Sequence, residues 1–142
     1  MRAVLDTSVV IASDVGPLDG DLAISAATLA ELHFGVLVAR EPGTRAERLR
    51  RLSVLLRRFD ALPVDEVVAV SYGQVAAAVA AAGRRPRPRA MDLLIAATAH
   101  AHGARLYTRN PADLAGTGNH PKECPSVQRA GAPPGGRTRP TS

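Results

Sequence analysis

Short apolar runs alternate along this chain with longer stretches that carry an apolar residue every three or four positions, and the alternation predicts strands and helices in turn. Ala3-Val4-Leu5 has strand length and stops at Asp6-Thr7-Ser8, after which 9–13 resumes as an apolar turn of helix. Gly16-Pro17-Leu18-Asp19-Gly20 is turn chemistry, and Leu22-Ala23-Ile24 predicts a second strand running into Ser25. Leu29, Leu32, Val36 and Leu37 form a helical stripe over 27–38, ended by Glu41-Pro42-Gly43. Over 46–59, Leu49, Leu52, Leu55 and Leu56 repeat against Arg48, Arg50, Arg51, Arg57 and Arg58, which predicts an amphipathic helix with a basic, solvated outer face.

A short strand at 61–64 is broken by Pro63 and so belongs at a sheet edge, because proline cannot donate to a central ladder. An alanine-rich helix over 66–82 is closed by Gly83. The stretch from Arg84 to Arg89 then reads as a basic loop stiffened by Pro86 and Pro88, and a helix over 91–101 stops near His102-Gly103. A strand over 104–108 has the apolar character of a parallel sheet. Strands alternating with helices of these lengths imply an α/β class, a mostly parallel sheet between two helical layers.

The pattern collapses from Gly116 onward, where five glycines and five prolines replace any periodicity. The expected organisation is one domain at 1–115 and a disordered, basic Pro/Gly-rich tail at 116–142. A length of 142 residues and 46% hydrophobic content suit a single core.

Composition narrows the function classes. With no Trp, two Phe and two Tyr, the core is aliphatic, and a nucleic-acid reader that stacks bases on aromatic platforms has few residues to use. Cys124 is the single cysteine, which excludes an internal disulfide or a multi-cysteine zinc site and fits a reducing, cytoplasmic location. No basic leader precedes an apolar run and no apolar stretch has membrane-spanning length, so neither a signal peptide nor a membrane association is expected. Of the net charge of +5, the tail carries +3 through Lys122, Arg129, Arg137 and Arg139 against Glu123, leaving +2 on the folded part. If Asp6, Glu31, Asp92 and Asp113 are set aside as metal ligands, the remainder of that part reads +6, a basic surface around an acidic centre. Such a distribution suits a polyanion held by a metal.

Those four acids are the candidate chemistry. Asp6 follows the first strand, Asp92 opens a helix, and Asp113 lies beyond the last strand, so parallel topology can bring them to the carboxyl edge where open sheets bind ligands. Glu31 lies one turn into its helix and can lean over the same edge. Carboxylates without His or Cys suit magnesium or manganese, which lower the pKa of bound water and neutralise phosphate. Thr7, Ser8, Thr108 and Asn110 are placed to orient the acids by hydrogen bonds. Each acid also has a plain local reading. Asp6 caps a helix, Glu31 closes a capping box with Thr28, Asp92 complements a helix dipole, and Asn110-Pro111-Ala112-Asp113 is a helix start.

Other constellations are weaker. His100 and His102 are two apart and do not share a helix face, and Cys124 is in the tail, so they make a poor metal site. His33 and His120 read as ordinary helix and tail residues. Arg84, Arg85, Arg87 and Arg89 are candidates for gripping an RNA backbone, with a solvated loop as the alternative. Phosphoryl transfer through Asp6 would need a second acid that Asp6-Thr7-Ser8 lacks, and the only lysine is Lys122.

Four segments in register carry a resemblance: Val4-Leu5-Asp6-Thr7-Ser8-Val9-Val10, then Ala30-Glu31-Leu32 with Gly35, then Met91-Asp92-Leu93-Leu94-Ile95-Ala96-Ala97, then Leu106-Tyr107-Thr108-Arg109-Asn110-Pro111-Ala112-Asp113-Leu114. Over about 2–115 the chain resembles PIN-domain ribonucleases, and in particular the VapC toxins of VapBC type II toxin–antitoxin pairs. The resemblance implies a three-layer α/β/α domain and Mg2+- or Mn2+-dependent endoribonuclease activity on structured RNA of the tRNA or rRNA class. It implies Asp6 and Asp92 as principal metal ligands, Glu31 as a ligand or water-orienting group, and Asp113 as the fourth acid. It further implies homodimers and a cognate VapB-type antitoxin. The alternative is a noncatalytic RNA- or protein-interaction module whose acids are only caps. The chain departs from the family where Gly116-Thr117-Gly118 replaces an apolar last strand, so the edge strand is expected to be missing and 104–107 to be an exposed edge.

Overall fold

The computed structural model describes residues 2–12 and 17–109, together with the backbone of 122–123. Strand β1 (Arg2–Leu5) leads directly into the short helix α1 (Thr7–Val10), and β2 (Asp21–Ser25) into α2 (Ala26–Leu37). Helix α3 (Pro42–Arg58), strand β3 (Asp60–Leu62), helix α4 (Glu66–Ala81), a 3-10 turn at Arg87–Arg89, helix α5 (Ala90–Ala101) and strand β4 (Arg105–Thr108) follow. A two-residue strand β5 (Lys122–Glu123) completes a sheet of order β3-β2-β1-β4-β5, parallel throughout.

Parallel strands bury both faces, and the two sets of alternate residues go to different cores. Val4, Ala23 and Leu106 point into a cluster with Val75 and Val79 of α4 and Leu93, Ile95, Ala96 and Ala99 of α5. Their neighbours Ala3, Leu5, Ile24 and Tyr107 point the other way and pack with Val9 of α1, flanked by Leu29 and Phe59. The result is the three-layer α/β/α arrangement. Small residues let α5 lie close to the sheet: Ala96, Ala97 and Ala99 are all fully buried on it. Gly83, at φ +80°, reverses the chain after α4, a conformation in which a Cβ would be strained.

Several expectations change. The helix predicted over 46–59 begins at Pro42, because proline at the first helical position loses no intrahelical hydrogen bond. Leu37, assigned to the apolar stripe of α2, is 72% exposed, and the buried side of that helix is Ala27, Thr28 and Val36. The basic face of α3 is not uniformly solvated. Arg45 donates to the carbonyls of Leu37 and Ala39, and Arg48 to that of Gly35, satisfying carbonyls at the end of α2. The strand predicted beside Pro63 does sit at the sheet edge, as β3.

The other edge differs from the expectation of a missing strand. In place of an apolar segment, Lys122 pairs with Tyr107 and Glu123 with Thr108, so the carboxyl end of β4 is covered by two residues of the stretch read as a tail without elements. The rest of 110–142 lies outside the described residues, as do Asn110 and Asp113.

Candidate active site

The strand order locates the site before any side chain is considered. From β1 the chain moves outward to β2 and β3, then returns to the far side of β1 as β4, so the order reverses between β1 and β4. Open parallel sheets form their ligand crevice outside the carboxyl ends of the strands at such a reversal. Asp6 immediately follows β1 there, its N–H bonded to the Tyr107 carbonyl of β4 at 2.9 Å.

Asp6 does cap α1, since its Oδ1 accepts from the Thr7 N–H at 2.8 Å. Capping uses one oxygen. The other, Oδ2, accepts from the Ser8 hydroxyl at 2.9 Å and the Thr108 hydroxyl at 2.8 Å. Ser8 is held in turn by the Arg109 N–H at 3.2 Å. The carboxylate is 8% exposed, and the partners that fix it are neutral. A nearly buried carboxylate fixed by neutral donors keeps lone-pair capacity for a cation.

Glu31 is joined to Asp6 through the next residue. The Thr7 hydroxyl donates to Glu31 Oε1 at 2.8 Å while the Thr7 N–H serves Asp6, so one threonine orients both acids. The capping box proposed for Thr28 and Glu31 is not formed. The N-cap of α2 is Ser25, whose hydroxyl accepts from the Ala27 N–H at 3.1 Å. Glu31 therefore lies beyond the capping positions, and its carboxylate turns to Thr7.

Asp92 is in the first turn of α5, half-buried, where it also complements the helix dipole. It lines a shallow recess of about 290 Å³ with Glu31, and the 3-10 turn brings Arg87 and Arg89 into the same recess. Arg84 and Arg85 do not line it; they are exposed on the chain that follows α4. On its other side Glu31 borders a larger cleft of about 480 Å³ with Thr7, Arg48 and Arg51. Sequence reading missed the direction of Arg48 and Arg51, because a helical wheel shows which face is basic and not what that face meets. His100 lies away from these acids and is within 3.1 Å of the Ser71 hydroxyl on α4.

Among the described residues, no three acids, histidines or cysteines form a closed metal cage. Asp6, Glu31 and Asp92 share one rim without forming such a cluster. The donor set nevertheless fits magnesium or manganese, which favour hard oxygens, and magnesium typically uses one or two carboxylates with its own waters and substrate phosphate. No helix among the described residues is long and apolar enough to cross a membrane.

The PIN domain family model matches residues 3–115. Ribonuclease VapC8 of Mycobacterium tuberculosis is 42% identical over 99 residues, spanning 67% of this chain and 88% of that protein. The chain belongs to the VapC family of PIN domains. Solved structures agree with that placement. This PIN domain superposes with a TM-score of 0.73 on a chain of VapBC-5 from Mycobacterium tuberculosis, a member of the VapBC family of toxin–antitoxin systems. The identity there is 36%, covering 87% of this chain and 97% of that one. FitAcB from Neisseria gonorrhoeae gives a TM-score of 0.68 at 28% identity, over 82% of this chain and 94% of the other.

Proposed function

We propose that this PIN domain is the ribonuclease toxin of a VapBC-type toxin–antitoxin pair, a Mg2+- or Mn2+-dependent endoribonuclease that cleaves structured RNA of the tRNA or rRNA class. The observation that carries the reading is the link from Asp6 through Thr7 to Glu31 at the β1/β4 reversal, with Asp92 on the same recess as Glu31. Kinship with proteins named as VapC ribonucleases supports the chemistry, and kinship with VapBC complexes supports a VapB-type antitoxin as partner.

In this reading Asp6 and Asp92 hold the ion, Glu31 is a ligand or orients the attacking water, and Asp113 is the fourth acid. A bound divalent ion supplies Lewis acidity to the scissile phosphate and lowers the pKa of water. The protein's own contribution is orientation. Thr7, Ser8 and Thr108 leave the Asp6 carboxylate little freedom to turn, which limits reorganisation when charge develops. Asn110 is assigned a like role. Arg87 and Arg89, lining the recess with the acids, are suited to RNA phosphates, with Arg84 and Arg85 extending the basic track. A homodimer in the cytoplasm completes the proposal.

The noncatalytic alternative treats the acids as helix caps. It accounts for Asp6 Oδ1 and leaves Oδ2, with its two hydroxyl partners, without a purpose. Cleavage of total RNA with and without Mg2+, with the new ends mapped, separates the two readings. Cleavage that needs Mg2+ and disappears in both Asp6→Asn and Asp92→Asn is expected; metal-independent cleavage by the double variant contradicts the assignment.

A further inference from the structure

Thr28 has no part in capping α2, yet it is a fully buried polar side chain, 0% exposed, one helical turn before Glu31. Its Oγ1 lies 3.2 Å from Thr7 Oγ1, which is itself 2.8 Å from Glu31 Oε1. Proton accounting decides the direction of this chain. Thr7 carries a single hydroxyl proton, and an ionised Glu31 has none to offer, so the shorter, charge-assisted bond takes the Thr7 proton. The contact between the two threonines must then be a donation from Thr28 to Thr7. Successive bonds of this kind polarise and strengthen one another.

We propose that Thr28 is a positioning residue, whose buried hydroxyl commits the Thr7 proton to Glu31 and thereby holds Glu31 toward the Asp6 end of the site. Its effect on catalysis rests on the ribonuclease reading above. Its effect on the Glu31 side chain does not. Thr28 touches neither RNA nor metal. Its removal therefore lowers turnover and leaves RNA affinity in place.

The test compares Thr28→Val, nearly isosteric and without a hydroxyl, with Thr28→Ser, which keeps the hydroxyl. In Mg2+, Thr28→Val lowers kcat about five- to tenfold, the value of one hydrogen bond, with KM for RNA within about twofold. Thr28→Ser stays within about twofold of wild type on the same scale. In a Thr7→Val background, Thr28→Val causes no further loss, because its effect passes through Thr7. In the metal-free protein, the carboxyl carbon-13 resonance of Glu31 shifts in Thr28→Val and not in Thr28→Ser. Wild-type turnover in Thr28→Val, a full second loss on top of Thr7→Val, or an unmoved Glu31 resonance overturns the inference. Should Thr28→Val fail to fold, Thr28→Ala is read by the same criteria. If the wild-type protein cleaves no RNA, the ribonuclease reading fails, and the Glu31 resonance alone decides the role of Thr28.

Discussion

Replacing Thr108 with valine removes one hydroxyl from beneath the site and changes little else in shape. The hydroxyl donates to Asp6 Oδ2 at 2.8 Å from a fully buried position. A hydrogen bond to a charged acceptor contributes about 1.5–3 kcal/mol. Ser8 remains on the same oxygen and Thr7 N–H on the other, so the lower end applies, about 1.5–2 kcal/mol. For a domain of this size that lowers Tm by roughly 4–8 °C. The expected effect on cleavage is larger, about 10- to 100-fold, the usual cost of removing a group that orients a metal ligand. Thr108→Ser provides the contrast. It leaves a methyl-sized gap and loses about 1 kcal/mol of stability, yet keeps the donor and hence the activity. Thermal unfolding and RNA cleavage measured on both variants separate the two effects. Valine cleaving like wild type, or serine losing as much activity as valine, would refute the orienting role.

Reversing the charges of Arg84, Arg85, Arg87 and Arg89 should weaken RNA binding and flatten its dependence on salt, by a slope of about 0.7–0.9 for each phosphate no longer neutralised. An unchanged slope returns these residues to a solvated loop. Leu93→Ala, at a fully buried position on α5, should cost about 3 kcal/mol and lower the denaturant midpoint without changing the metal requirement of cleavage. Loss of that requirement together with stability would mean that α5 does more than hold Asp92.

The alternation of strands and helices is legible in the sequence because both cores are built from periodic aliphatic residues, and a parallel sheet buries each strand as a short apolar run. The edge position of β3 is legible from Pro63 alone. Helix starts are less so. Periodicity marks α3 from its leucines, whereas its first turn, Pro42-Gly43-Thr44, contains no leucine, valine or isoleucine to reveal it. Lys122–Glu123 is hidden for a related reason: two polar residues joined to β4 by main-chain bonds leave no hydrophobic signature. At the site, the family resemblance names the acids, and the positions of Thr7 and Thr108 beside them in the chain mark both as orienting groups. Thr28 is ambiguous from sequence, because Ser25 and Thr28 are both acceptable caps and only the backbone at Ser25, extended at φ −79° and ψ 148°, decides between them. The turn that carries Arg87 and Arg89 to the recess of Glu31 and Asp92 is likewise a tertiary fact.

Paramagnetic broadening by Mn2+ tests the central claim most directly, because it reports where a divalent ion sits without requiring any RNA. Titrated into the wild-type protein, substoichiometric Mn2+ should broaden the resonances of Asp6, Glu31 and Asp92 before others, and Asp6→Asn should abolish that selectivity. Broadening that spares these three, or that persists unchanged in Asp6→Asn, would contradict the account.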